Sequence, residues 1–311
     1  VDVVSRKGSY LGSGLLSEKS KIRIRLITRN ANDRFDRAFW KRKVQWAWNY
    51  RKTVMGADAS ACRVLFSEAD GFPGLVVDRF EDVLVAETLS VGMERLKPMI
   101  FPALLEVLAE DGIAIRGLYE RNDASTRSLE GLAQTAGWFA GAAEDAACSL
   151  DPINPCQPEA AMFGPTTTQI MENGVRYEVD FENGQKTGFF LDQKYNRRAV
   201  AQLAAGRRVL DCFTHTGSFA LNAAHGGAEY VNAVDISELA VAQARKNAQL
   251  NELDGKMDFT AANVFDLLPQ LEAAHDRTYD FIVLDPPAFT KSRKTIDSAA
   301  RGYKEINYRA M

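Results

Sequence analysis

The chain is short of the residues that build crosslinks and metal centres. Its 311 residues contain four cysteines, Cys62, Cys148, Cys156 and Cys212, with no CxxC pair, and only three histidines. Scattered cysteines without that spacing exclude a disulfide framework and a zinc site, and they predict a reducing, cytoplasmic setting. Long apolar runs are missing too. The longest stretch free of Asp, Glu, Lys and Arg lies between Asp211 and Glu229, 17 residues that include two His, two Thr, a Ser and an Asn. It is too short and too polar to span a bilayer, so no membrane partner is expected. The opening VDVVSRKGSY has neither an apolar signal core nor an initiator Met, so no export signal is expected and the chain is expected to start inside a longer product.

What is present is a soluble globular composition, 46% hydrophobic and 25% charged, which excludes disordered and fibrous classes and allows two or three domains. The net charge of -3 conceals an asymmetry. Residues 1–52 hold 14 Lys/Arg against 4 acids, residues 53–160 hold 7 against 18, and residues 161–311 hold 17 against 19.

The basic N-terminal part reads as short strands ending in KIRIRLI over residues 21–27, with Ile22, Ile24 and Leu26 on the core face and Arg23, Arg25 and Ile27 on the other. That second face is either a phosphate-binding surface or a charged, solvated edge. A helical period follows over residues 36–54. Phe39, Lys43, Trp46 and Tyr50 form one stripe, Trp40, Val44, Ala47 and Arg51 another, and these aromatics either pack in a core or stack on RNA bases. Next come strands near CRVLFSEAD and GLVVDRFEDVLVAETL, a helix over MERLKPMIFPALLEVLAE and a strand at AIRGLYERND. A loop over residues 136–165 leads to a hairpin, TTTQIMENGVRYEVDFENGQ, with ENG at each turn.

From Arg207 onward strand and helix alternate: RRVLDCF, FALNAAHGG, AEYVNAVDIS, LAVAQARKNAQLN, KMDFTAANVF, LLPQLEAA and YDFIVLDPP. This predicts an α/β domain with a parallel, doubly wound, Rossmann-like sheet, whose ligands sit at the carboxyl ends of the strands. Those ends carry Asp211, Asp235, Asn263 and Asp285. The first ends in a TxTGS turn with a single Gly217, not the GxGxxG that a dinucleotide pyrophosphate needs. Asp235, 24 residues after Asp211, is placed to bind both ribose hydroxyls of an adenosine, and Asn263 to reach an adenine edge. A nucleoside without a diphosphate points to S-adenosyl-L-methionine. The fourth strand ends in VLDPPAF, where two prolines stiffen a turn suited to holding a substrate base. Asp285 can bond a base edge, the Pro286 carbonyl can accept from an exocyclic amine, and Phe289 can stack on a flipped base. Lys291, Arg293 and Lys294 follow, facing either polynucleotide phosphates or solvent.

FTHTGSFA, AVDIS, KNAQLN, DFTAANVF, LDPPAF, RGYKEIN and the upstream GQKTGFFLDQKYNRR together resemble the class I S-adenosylmethionine-dependent methyltransferases that modify large-subunit ribosomal RNA at cytosine C5. In that family an RNA-binding PUA domain and a central α+β domain precede the catalytic domain. GSYLGSGLLSEKSKIRIRL resembles the latter half of such a PUA domain, and SEADGFPGLVVDRF the family's central segment. The resemblance implies a partial PUA-like domain over 1–33, a central domain over 34–185 and a methyltransferase domain over 186–311 lacking its last strands. It implies that Asp211, Phe213 and Gly217 line the methionine end of the cofactor, Asp235 and Ile236 the ribose, and Asn263 the adenine. Thr187, Asp192 and Gln193 would close the pocket from the other side, and ribosomal RNA would be the partner. The family commonly carries an acid where Asn263 stands.

Cytosine C5 is a poor nucleophile, so its methylation needs a cysteine thiolate that adds at C6 first. Cys212 reads as a buried packing residue, and the family's nucleophile follows the fifth strand. Only 26 residues follow Asp285, so that cysteine and about 75 residues at roughly 25 to 30 per strand-helix unit are expected beyond Met311. Two other readings stand beside this one: methylation of a ribosomal guanine at N7 or its exocyclic amine, which needs no cysteine, and a non-catalytic RNA-binding protein on the same scaffold. A symmetric homodimer is the default oligomer.

Overall fold

The computed structural model describes residues 1–139, 163–290 and 292–311, so Cys148, Cys156, Lys291 and most of the loop expected over 136–165 fall outside the described residues. The chain divides into two compact units, one of Val1–Ile170 with Glu178–Leu191 and one of Met171–Tyr177 with Asp192–Met311.

The first unit begins with a three-stranded antiparallel sheet, β1 (Asp2–Val4), β2 (Tyr10–Leu16) and β3 (Ile24–Thr28). β3 starts three residues later than the strand expected from Lys21, and it turns the opposite face inward. Ile22, Ile24 and Leu26 are exposed, whereas Ile27 is buried and the Arg25 guanidinium meets Glu68 at 2.9 Å and Glu130 at 3.4 Å. Alternation decides which residues share a face but not which face meets the core. Here Glu68 and Glu130 neutralise Arg25, while Arg23 just ahead of the strand stays exposed.

Helix α1 (Arg37–Met55) starts where Asp36 accepts from the Phe39 N–H, and it ends at Gly56. Its two expected stripes separate: Phe39, Trp40, Val44, Ala47, Trp48 and Arg51 are buried, while Trp46 and Tyr50 remain exposed, at 61% and 60%. There follow β4 (Ala61–Phe66), the single turn α2 (Ser67–Asp70), β5 (Leu75–Phe80), β6 (Val83–Thr88), α3 (Val91–Glu110), β7 (Gly117–Asn122) and β8 (Thr135–Trp138). The strands form one sheet in that order, antiparallel except where α3 crosses over to make β6 and β7 parallel. One face, with Cys62, Val64, Val77, Leu84, Ala86 and Leu118, shares its core with α1 and α3. The other carries an aromatic cluster of Tyr119, Trp138, Phe163 and Phe181, with ring centroids 5.1 to 5.6 Å apart. The edge strand β8 departs from the expected loop, because its TAGW is too short and too glycine-diluted to read as a strand.

The expected hairpin forms from β9 (Thr167–Glu172) and β10 (Val175–Asp180), with Asn173 and Gly174 both at positive φ, 54° and 81°, as a tight turn requires. The second unit continues with α4 (Lys194–Leu203), β11 (Arg208–Cys212), α5 (Ser218–His225), β12 (Tyr230–Asp235), α6 (Glu238–Leu250), β13 (Met257–Ala261), α7 (Val264–Ala273), β14 (Phe281–Leu284) and α8 (Ile296–Ala310). The four strands are parallel in the order β13-β12-β11-β14, the Rossmann-like arrangement expected from the alternation. The order reverses beside β11, and this switch point opens the crevice where ligands bind such sheets.

Arg197 of α4 and Glu172 of β9 are fully buried together, with two parallel bonds of 2.6 and 2.9 Å. Removing one partner strands a charge, so Glu172→Ala should lower stability by about 3 to 5 kcal/mol in urea denaturation. The double replacement Glu172→Leu with Arg197→Met should recover most of that loss, and equal damage by both variants would show that packing, not charge, dominates there.

Candidate functional site

β11 is the central strand, and its alternation carries Asp211 into the sheet end, where the side chain is 1% exposed. Oδ2 accepts from the Thr214 hydroxyl at 2.6 Å and from the Ala220 N–H at 2.9 Å, while Oδ1 has no partner among the described residues. Burial pushes this carboxyl up to about 7. The Thr214 and Ala220 bonds oppose that rise, and the negative charges of Asp285 and Asp235 add to it.

The five residues after Cys212 form a strained loop. Phe213 (φ 66°), His215 (φ 51°) and Gly217 (φ 84°) all adopt left-handed backbone, which for the two non-glycine residues costs on the order of 1 to 3 kcal/mol each. The loop is held by Thr214 N to Val234 O at 2.9 Å, His215 N to Asp235 Oδ2 at 2.9 Å, and Asn247 Nδ2 to Thr216 O at 3.1 Å. Gly217 is required twice over: besides its φ, a Cβ there would lie 2.9 Å from the Ala244 Cβ on α6.

Asp235 ends β12 and accepts on Oδ2 from His215 N and on Oδ1 from Ser237 N, the latter at 3.0 Å. Each carboxylate oxygen can take a second donor, so Asp235 retains room for two hydroxyls. Ile236 beside it is 73% exposed, an apolar surface open to a ligand. Asn263 caps α7: its Oδ1 accepts from Phe265 N at 3.1 Å and its Nδ2 donates to Asp266 at 3.0 Å. One amide hydrogen is left for a ligand.

Asp285 follows β14, and desolvation, then the charge of Asp192, hold its carboxyl above the usual range, with Arg197 opposing. The expected Asp192 therefore stands within the field of the strand ends. Gln193 next to it accepts from Asn196 Nδ2 at 2.6 Å. Thr187 belongs to the first unit and corrects the expectation of a pocket-closing hydroxyl. It is buried, and its hydroxyl donates at 2.6 Å to Asp78, which also pairs with Arg63. A fully buried carboxylate must be satisfied locally, and Thr187 does this.

Phe289 also departs from its expected role as an open stacking platform. Its ring lies 4.4 Å from Tyr303 and 5.5 Å from Phe265, in the apolar cluster around Ile306 and Leu268. The Tyr303 hydroxyl donates to Pro287 O and accepts from Phe289 N, both at 3.4 Å, bracing the Pro286–Pro287 turn. Sequence reasoning missed Tyr303, Thr214 and Asn247 as site-building residues. Each lay in a motif already singled out, Thr214 in the TxTGS turn, Asn247 in KNAQLN and Tyr303 in RGYKEIN, but the motifs alone gave these side chains no role.

Neither described cysteine has the partly exposed, electropositive setting of a nucleophile. Cys212 is buried and its thiol is pushed up to about 12 by burial, with the Asp211 charge adding to the rise, and buried Cys62 donates to Ala59 O at 3.4 Å.

A buried carboxyl with an unpartnered oxygen, amid further carboxylates at a switch point, suits an organic cation joined to a nucleoside. S-adenosylmethionine, with a sulfonium and an ammonium on one side and ribose hydroxyls on the other, fits that donor set. A family model for S-adenosylmethionine-dependent methyltransferases matches residues 116–309, and one for a PUA-like domain matches residues 1–29. The chain is 36% identical over 313 residues to the ribosomal RNA large subunit methyltransferase I of Aliivibrio fischeri and 37% identical to the protein of that name from Shewanella denitrificans, covering 100% of this chain and 72% of each relative. A solved structure from Streptococcus mutans, assigned as a SAM-dependent methyltransferase, is 25% identical with a TM-score of 0.75, covering 98% of this chain and 73% of that one. The chain therefore belongs to the S-adenosylmethionine-dependent methyltransferases and carries a PUA-like segment at its start.

Proposed function

We propose that the enzyme to which this chain belongs methylates large-subunit ribosomal RNA, at cytosine C5, with the cofactor seated across the ends of β11, β12 and β13. The observation that carries the reading is buried Asp211, with its unpartnered Oδ1 among Asp235 and Asp285. The likeness to relatives named for large-subunit ribosomal RNA supports the substrate. In this reading residues 1–33 and 34–185 serve the RNA and residues 186–311 the chemistry.

Asp211, Phe213 and Gly217 hold the methionine end, Asp235 accepts from the ribose hydroxyls, Ile236 covers the nucleoside, and Asn263 offers its remaining amide hydrogen to the adenine. Asp192 and Gln193 flank the same crevice. The bound cofactor supplies an electrophilic methyl group on sulfur. Asp285 and the Pro286 carbonyl orient the target base, and Phe289 keeps their turn rigid by packing. The C5 reading needs a thiolate outside the described residues. A second reading, methylation of a ribosomal guanine, is favoured by one observation: both described cysteines are buried and Cys212 is held as a thiol.

Calorimetric titration of the chain with S-adenosylhomocysteine should show micromolar binding that Asp235→Ala weakens about tenfold or more. A folded chain that binds nothing would overturn the cofactor site. With the complete enzyme, which carries that thiolate in this reading, large-subunit RNA bearing 5-fluorocytidine should be trapped as a covalent adduct if C5 is the target. Methylated guanine without an adduct would establish the second reading instead.

The Asp211 carboxyl, displaced upward from 3.8, gives a pH signature with two signs. In the ligand-free chain the neutral form is the one the fold favours, so this group's contribution to stability falls as pH rises from 3.8 toward about 7. A cationic ligand favours the ionised form, so affinity for S-adenosylmethionine should rise through pH 7. Asp211→Asn should flatten both profiles; an unchanged affinity profile in that variant would place the titrating group elsewhere.

A further inference from the structure

Turning Arg25 inward takes one cation from the basic surface first expected on β3. Most of the cations on α1 are locally engaged: Arg37 and Lys41 with Glu106, Arg51 with Asp70, and Lys52 with Asp111. Lys43, in no ion pair among the described residues, and Arg42, paired only with Asp33, line a cavity of about 510 Å³ in the first unit, together with Trp46, Phe39, Thr28 and Asn30. That volume lies in the range of ligand pockets, roughly 300 to 1,000 Å³.

The cavity combines an aromatic plane with cations. Trp46 is 61% exposed, and Tyr50, one helical turn on, is 60% exposed. The Arg42 guanidinium sits 5.7 Å from the Trp46 ring and 5.5 Å from the Phe39 ring, and Lys43 Nζ is 5.7 Å from the Phe39 ring. No carboxylate lies within ion-pair distance of Lys43 among the described residues, and Arg42 has only Asp33, at 3.6 Å. Asp33 is itself held by the Thr28 hydroxyl at 2.6 Å and by Asn30 Nδ2 at 3.2 Å. The loop from Thr28 to α1 adds Arg29 and Arg34, both exposed and neither in an ion pair among the described residues.

The geometry points to a binding site for an unpaired nucleotide of single-stranded RNA on this face of α1, with Trp46 as the stacking plane and Arg42, Lys43, Arg29 and Arg34 meeting the flanking phosphates. A duplex offers no base face to Trp46, because its bases are already stacked on one another, whereas an unpaired base does. An apolar protein partner would bury Lys43 with no carboxylate to pair it and Arg42 with only Asp33, which argues against that occupant. The site rests on the reading that the substrate is RNA, and its lining residues all belong to the first unit.

Three of the four tryptophans, Trp40, Trp48 and Trp138, are 5% exposed or less, so quenching by a ligand in solution reports on Trp46. The probe is a fluorescein-free 12-nucleotide oligouridylate for emission and its labelled form for anisotropy, against a blunt RNA duplex of equal length. The single strand should quench tryptophan emission and bind tighter than the duplex. Trp46→Ala should abolish the quenching and weaken binding about tenfold, since a stacked base contributes about 1 to 3 kcal/mol and tenfold is 1.4 kcal/mol. Trp46→Phe should retain most of the affinity, and Arg42→Ala should shallow the salt dependence by about 0.7 in slope for each phosphate no longer neutralised. Circular dichroism and thermal unfolding should match the wild-type chain in all three variants, which shows that they fold. Wild-type affinity in Trp46→Ala overturns the site while leaving the RNA reading intact. Failure of the wild-type chain to bind either RNA overturns both, and preference for the duplex overturns the stacking role.

Discussion

The Asp211 carboxyl at the end of the central strand is the constraint on which the second unit's crevice depends. It is almost wholly removed from bulk solvent, so its two oxygens need nearby donors, and only Oδ2 finds them among the described residues. Those donors, the Thr214 hydroxyl and the Ala220 N–H, tie the strand end to the start of α5. They thereby stabilise a loop whose Phe213 and His215 backbone would not persist unaided. Asp235 performs the complementary task from β12 through the His215 N–H. Two carboxylates on adjacent strands thus brace one strained turn from both sides.

Buried charge is treated in two ways across the molecule, and the contrast separates scaffold from site. Glu172 faces Arg197 through two bonds, Asp78 faces Arg63 and Thr187, and Glu130 faces Arg25; each carboxylate has its countercharge in the protein. Asp211 has none among the described residues, and the charges that influence it are other carboxylates. An ionised acid in that position is unfavourable until a cation arrives, so the site is electrostatically incomplete in the way a binding site for a sulfonium and an ammonium would be. The first unit shows the opposite imbalance on α1, where Arg42 and Lys43 border exposed aromatic surface.

The sequence by itself determined the element order of the second unit and the identity of the acids at its strand ends. Apolar strands alternating with helical periods leave a parallel, doubly wound sheet as the packing that covers both faces. It also marked the Asn173–Gly174 turn, because few residues tolerate that backbone. Tertiary structure alone decided which way an amphipathic element faces and whether a polar side chain is already engaged. KIRIRLI is compatible with either face inward, and Glu68 and Glu130, remote in sequence, selected the arginine face. The α1 aromatics share one period, yet α3 and the sheet cover Phe39 and Trp40 and leave Trp46 outside. Thr187, Asn263 and Phe289 have the composition of ligand contacts, but Asp78, the first turn of α7 and Tyr303 engage them first. Period and spacing are local properties of the chain, whereas burial and hydrogen-bond partnership depend on residues that only folding brings near.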